Sequence, residues 1–156
     1  MTPAIRLLEE RGIDFELLEY RHDANVPAYG EEAVNALGLS PEEVFKTLLA
    51  SVDGQRLLVA LVPVSSTLDL KALARAAGAK KAVLAEAPAA ERATGYVVGG
   101  ISPLGQKQRL ATYIDIGAEH RKHLYVSAGR RGLEIALRPS DLQRLTQASF
   151  VPLARN

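Results

Sequence analysis

The sequence contains no cysteine. That excludes disulfides, cysteine-ligated zinc and cysteine nucleophiles. It also lacks any run of about eighteen apolar residues, so no membrane-spanning helix is expected. Its opening residues, MTPAIRLLEERG, alternate apolar and charged side chains instead of running basic and then apolar as a signal peptide does. These absences predict a cytoplasmic protein with no membrane association. Internal repeats, low-complexity stretches and interdomain linkers are missing too. The 156 residues are enough for a real core, so residues 1–156 read as a single domain. Strong net charge is likewise absent, at +1 overall. Residues 1–44 nevertheless carry three arginines against ten acids, and residues 101–156 carry nine lysines and arginines against four acids. Such a split is either the ordinary variation of solvated surfaces or a polyanion-facing side away from the N-terminal segment.

Local signals divide the remainder into interleaved helices and strands. Thr2-Pro3 reads as an N-cap and first helical position, with Leu7 and Leu8 on one face and Gly12 as the stop. Phe15, Leu17 and Leu18 near Tyr20 read as a strand, and Glu31–Leu37 as a short helix. Ser40-Pro41-Glu42-Glu43 is a capping-box sequence that predicts a further helical turn. Phe45–Val52 and Leu57–Val64 are β-branched-rich runs joined by Asp53-Gly54, a strong hairpin signal. Leu68–Ala77 has the spacing of an amphipathic helix closed by Gly78. A strand at Ala82–Leu84, a helix at Pro88–Thr94 and a buried strand at Tyr96–Val98 are expected next. Strands at Ala111–Ile114, Leu124–Val126 and Leu133–Leu137 and a helix at Ser140–Leu145 complete the chain. Irregular alternation with hairpin-linked strands predicts an α+β fold with a mixed sheet rather than a doubly wound parallel one.

The familiar catalytic constellations are also wanting. Ser102 lies in Gly100-Ile101-Ser102-Pro103-Leu104-Gly105, which departs from the G-x-S-x-G nucleophile elbow. Pro103 has no N–H to offer an oxyanion hole. His120 and His123 fall in the charged stretch AEHRKH, which reads as a solvated loop with no third zinc ligand. Other features are chemically suggestive. Lys46 interrupts an apolar strand, where it either snorkels to water or stands in a pocket and binds an anion or polarises a carbonyl. The glycines at Gly99 and Gly100 offer N–H groups near a strand end, suited to an oxyanion. Ser127-Ala128-Gly129-Arg130-Arg131-Gly132 carries the Gly-x-x-Gly spacing of a KH clamp. Its flanks read as strands, so it is not a KH domain, and it remains either a basic hairpin turn or a phosphate-contacting loop.

The order of four segments adds a resemblance. VFKTLL (44–49), LDLKALARAAGAKKA (68–82), TGYVVGGISPLGQKQRL (94–110) and YVSAGRRGLEIAL (125–137) resemble the YbaK branch of the YbaK/EbsC family. These are small trans-editing aminoacyl-tRNA deacylases related to the editing domain of bacterial prolyl-tRNA synthetases. The likeness runs from about Thr2 to Leu145. It implies a compact α+β domain with a mixed, barrel-like sheet and surrounding helices. It implies cleavage of the ester joining cysteine to the acceptor end of tRNA(Pro), and of Cys-tRNA(Cys) as well. Prolyl-tRNA synthetase is the implied partner, and no metal or cofactor is implied.

By the same resemblance Lys46 is the lysine on which activity depends, with Thr47 beside it. Tyr20 and Tyr29 wall the substrate pocket. Gly99, followed by Gly100, turns its backbone to the aminoacyl group. Ser127 is a pocket serine, and Ser102 and Glu134 join the substrate-binding set. Tyr29 stands where phenylalanine is frequent and Glu134 where aspartate is frequent, which bears on substrate choice. Lys107, Arg109, Arg130 and Arg131 are candidate tRNA contacts, with solvated surface as the alternative. With no Cys and no Ser/His/Asp set, the resemblance implies that the substrate's own thiol attacks its carbonyl and leaves as a thiolactone. A water-using deacylase for alanine or another small amino acid, and a silent tRNA- or protein-binding module, are the competing readings.

Overall fold

The structure, a computed structural model, describes residues 1–23, residue 25 and residues 29–156, without the side chain of Tyr29. The first helix, α1 (Pro3–Glu10), starts as its sequence dictates. Thr2 caps it, its hydroxyl accepting the Ile5 N–H and donating to the carbonyl of Ala128. Ala4, Ile5 and Leu8 point into the core. Strand β1 (Glu16–Glu19) and helix α2 (Tyr29–Leu37) follow. Next comes the hairpin of β2 (Phe45–Val52) and β3 (Arg56–Pro63), paired from Phe45↔Pro63 to Val52↔Arg56. Its turn needs positive φ at two residues, and Asp53 (51°) and Gly54 (64°) adopt it.

The chain continues through β4 (Thr67–Leu68), α3 (Leu70–Ala76), β5 (Ala82–Leu84), α4 (Ala87–Thr94) and β6 (Ala111–Asp115). It ends with β7 (Leu124–Ser127), β8 (Leu133–Leu137), α5 (Pro139–Thr146), β9 (Ser149–Val151) and β10 (Ala154–Arg155). The five-stranded ladder runs β5-β2-β3-β6-β9, with β3-β6 and β6-β9 parallel and the other pairs antiparallel. Period-2 alternation gives β3 two buried faces. Val59 and Leu61 join a core with Leu8, Leu124, Ile135 and Leu142, while Leu58, Ala60 and Val62 pack with Leu73 and Leu153. This is the expected α+β architecture with a mixed sheet.

One feature of the topology makes room for a site. The three-stranded ladder β1-β8-β7 meets β2 through a single parallel bridge, Val44↔Tyr125. The far end of the same β2 edge, residues 50–52, pairs with β5. Between these, residues 46–48 have no strand partner on that edge among the described residues.

Three local expectations are corrected. Tyr96–Val98 is not a strand. Thr94 Oγ1 takes the Tyr96 N–H at 3.2 Å and the Glu91 carboxylate takes the Val98 N–H at 2.8 Å, so these amides are not free for a ladder, and Val97 is 72% exposed. The helix expected from Leu68 begins at Leu70, because Asp69 accepts the Ala72 N–H as N-cap and Thr67–Leu68 pairs with β10. At residues 40–43 the capping-box bond forms, Ser40 N–H donating to the Glu43 carboxylate at 2.8 Å. No helix follows, because the Glu43 carbonyl accepts the Tyr125 N–H and draws the chain into the sheet. Strands β9 and β10 carried no local signal, and their pairing partners supply the stabilisation that their short sequences do not.

Candidate active site

A cavity of about 480 Å3 opens at the unpaired stretch of β2. Residues 44–49 form one wall, and Gly30 and Glu31 of α2 stand at another. Leu84 and Ala85 come from the end of β5, Ala87 and Ala90 from α4, and Val98 and Gly99 from the turn after it. Ser127, Arg130, Arg131 and Glu134 come from the β7–β8 connection, and Tyr20 from the end of β1. The structure therefore brings together Lys46, Thr47, Tyr20, Gly99, Ser127, Glu134 and the Arg130-Arg131 pair, which span most of the chain.

The electrostatics of the cavity are set by burial. The Lys46 ammonium is half-buried, and desolvation lowers its pKa, opposed by the charge of the Glu31 carboxylate. Burial also raises the Tyr20 phenol. The Glu134 carboxyl is pushed up to about 8 by burial, so it is mostly neutral at pH 7 and able to donate a hydrogen bond. Thr47 Oγ1 is buried and has no hydrogen-bond partner among the described residues. An orphaned hydroxyl costs about 1–3 kcal/mol, so a polar ligand group reaching Thr47 would be favoured by that amount.

Glu134 yields a stability prediction. The folded carboxyl, at about 8, keeps its proton in a range where an ordinary carboxyl of 4.5 has lost it. The unfolded chain thus binds fewer protons between those values, and stability falls as pH rises through this window. Glu134→Gln preserves shape and donor and removes the titration. Urea unfolding at pH 5 and pH 8 should show the variant gaining on the wild type at the higher pH. Parallel pH dependence in both proteins would contradict the neutral assignment.

Other expected site residues are placed elsewhere. Gly100 does not line the cavity, and its N–H donates to the Val97 carbonyl at 2.9 Å. It is therefore not an oxyanion donor, whereas Gly99, at φ 99°, faces the cavity. Ser102 is fully buried outside the cavity, its Oγ accepting the Leu104 N–H at 3.2 Å, so it shapes the turn and does not bind substrate. Lys107 and Arg109 are exposed and lie beyond the lining. The side chain of Tyr29 lies outside the described residues, so the wall assigned to it is not located. Ser127 Oγ accepts the Gly129 N–H, at 3.2 Å, in the turn that carries the arginines.

Sequence reading missed Glu32. This buried carboxylate of α2 meets His22 Nδ1 at 3.0 Å, accepts the Asp23 N–H at 2.8 Å and accepts Arg131 Nε at 3.0 Å. Burial alone would raise its pKa, but these hydrogen bonds outweigh that and hold it below the usual carboxylate range. The pair turns Arg131 inward and ties α2 to the β7–β8 connection, while Arg130 remains exposed. An acid beside Ala33 on the inner face of a short helix was the available signal.

Comparison with known proteins agrees with this architecture. The model of the aminoacyl-tRNA editing domain matches residues 23–145, and the chain belongs to that family. A protein of Enterococcus faecalis described as a candidate Cys-tRNA(Pro)/Cys-tRNA(Cys) deacylase, EbsC, is 33% identical over 97% of this chain and 92% of its own. The multifunctional Ser/Thr-tRNA deacylase ProXp-y of Escherichia coli is 26% identical over 97% of this chain and 90% of its own. A solved structure described as a candidate trans-editing enzyme for prolyl-tRNA synthetase superposes with a TM-score of 0.85 at 23% identity, over 100% of this chain and 99% of that one. The chain is thus a member of a trans-editing aminoacyl-tRNA deacylase family, as its sequence motifs implied.

Proposed function

We propose that this protein, acting as a single domain in the cytoplasm, clears cysteine from tRNA(Pro), and from tRNA(Cys), by letting the substrate's thiol perform the attack. The observation that carries this reading is the make-up of the cavity. Among the described residues it joins a half-buried lysine to the Glu31 carboxyl, the neutral Glu134 carboxyl and three hydroxyl side chains, Tyr20, Thr47 and Ser127, with no histidine and no cysteine to form a nucleophile–base pair. The substrate thiol supplies the missing nucleophile, already held next to the carbonyl, and proximity replaces an enzyme side chain. The C–S bond forms as the thiol loses its proton, the bond from the carbonyl carbon to the ribose 3′-oxygen breaks, and that oxygen leaves with a proton. A cyclic thiolactone is the product.

Each residue then has a task. The Gly99 N–H stabilises the oxyanion, a contact worth about 3 kcal/mol of barrier where measured in other enzymes. Lys46 neutralises the terminal adenosine's phosphate or the leaving oxygen. Tyr20 limits the size of the side chain, while Thr47, Ser127 and Glu134 hydrogen-bond the aminoacyl group. Arg130, Lys107 and Arg109 meet the acceptor end. Arg131, at the cavity wall, is held in place by Glu32. Phosphate contacts this few give weak, salt-sensitive binding, so prolyl-tRNA synthetase supplies tRNA identity.

The likeness to ProXp-y favours a second reading, deacylation of hydroxyl-bearing amino acids by water. Incubating the purified protein with Cys-, Ser- and Ala-tRNA(Pro) and following ester loss separates the readings. Thiol attack predicts rapid loss of cysteine only. Comparable loss of serine or alanine points to water. An intact ester in all three points to a binding module.

A further inference from the structure

We propose that the turn at residues 96–100, with the end of β5, is the platform on which the unpaired nucleotides preceding the esterified ribose lie. The proposal rests on the deacylase reading and extends it from the aminoacyl group to the RNA strand that carries it. Val97 is 72% exposed, Leu84 55% and Val98 40%, three of the exposed large apolar side chains of the protein. Leu84 and Val98 also line the cavity, so this apolar surface continues its mouth.

The turn is rigid without help from these valines. Tyr96 is buried and its hydroxyl donates to the Leu104 carbonyl at 2.6 Å, Glu91 holds the Val98 N–H, and the Gly100 N–H closes onto Val97. Packing therefore does not explain two outward-facing valines on a fixed loop, and an exposed apolar patch beside a cavity marks a contact surface.

The charges beside it decide what makes the contact. On one side Lys107 donates its N–H to the Thr94 carbonyl, and its Cβ lies 3.5 Å from where a methyl group on Gly95 would stand. On the other, Gly100 packs directly on the Arg130 backbone. An apolar strip flanked by cations suits single-stranded RNA, whose unstacked base faces bury the aliphatic side chains while its phosphates meet the cations. The nearby acids do not oppose this arrangement. Glu91 is tied to the Val98 amide, and Glu86, at the start of α4, is exposed to solvent.

The test uses uncharged RNA hairpins, one blunt and one with a four-nucleotide 3′ overhang, and fluorescence anisotropy. The overhang should tighten binding to the wild type severalfold, the scale of burying part of an aliphatic side chain. Val97→Asp should remove that gain, and Val97→Tyr, which offers a stacking ring, should enlarge it. On Cys-tRNA(Pro), Val97→Asp should raise KM and leave kcat unchanged. On the cysteinyl ester of adenosine, which lacks the preceding nucleotides, it should match the wild type. An overhang that adds nothing, or Val97 variants that bind and turn over RNA as the wild type does, overturns the platform. The latter result assigns the patch to a protein instead. A wild type that cleaves neither the charged tRNA nor the adenosine ester rejects the deacylase reading itself, independently of the hairpin result.

Discussion

Lys46→Ala should give a folded protein whose deacylation of Cys-tRNA(Pro) is lower by about 100- to 1,000-fold, the size of effect seen when a group stabilising transition-state charge is removed. The fold should survive because the ammonium forms no hydrogen bond or ion pair among the described residues. It stands in a half-buried site where desolvation already disfavours its charge, and Glu31 opposes this only at a distance. Deleting a charge that is poorly solvated and poorly paired does not destabilise, so the melting temperature should be unchanged or higher. Lys46→Arg keeps the charge in a bulkier, planar form and should restore only part of the rate. Single-turnover kinetics with saturating protein, alongside thermal melting, checks both. Full activity in a folded Lys46→Ala protein would remove this lysine from the mechanism.

Gly100→Ala should damage both the stability and the activity of the protein, although Gly100 itself stands outside the cavity lining. A Cβ at this position would stand 2.7 Å from Arg130 Cα, 2.8 Å from Arg131 N and 2.9 Å from the Arg130 carbonyl carbon. All three are backbone atoms, so no side chain can swing aside. The turn that carries Gly99 must move away from the β7–β8 connection that carries Arg130, and these are two walls of one cavity. Overpacking of this kind costs about 1–3 kcal/mol. For a chain of this length each kcal/mol lowers the melting temperature by roughly 2–4 °C. Displacing Gly99 by even part of an ångström should lower kcat by tenfold or more, on the order of the loss from misplacing a catalytic group. Thermal melting and deacylation kinetics of Gly100→Ala measure both effects. Wild-type values in both would show that the close approach is not required.

Gly100 also illustrates how much of the site was legible. As one of a glycine pair it was recognisable as important, but its role was not. The expected N–H donor is bonded inside its own turn, and the residue is needed for what it lacks, a side chain facing Arg130. Lys46 was legible because a lysine in an apolar strand conflicts with its surroundings. Glu32 was not, because its carboxylate is explained only by His22, ten positions away, and Arg131, 99 positions away. The Tyr96–Val98 segment was misread for a related reason. A short apolar run has no period to distinguish a strand from a turn, and the bonds from Thr94 and Glu91 decide it.

What the chain determined alone was local. The Thr2-Pro3 start of α1, the Asp53-Gly54 hairpin, the apolar run of β3 and the order of the motifs depend on neighbouring residues. Tertiary structure alone decided where a cavity could exist. The edge of β2 is bridged by β7 near Val44 and paired by β5 from Ala50, and the stretch between is left open. Strand pairing is set by contacts remote in sequence. The same register that leaves this edge free gathers Lys46, Thr47, Gly99, Ser127 and Glu134 around it.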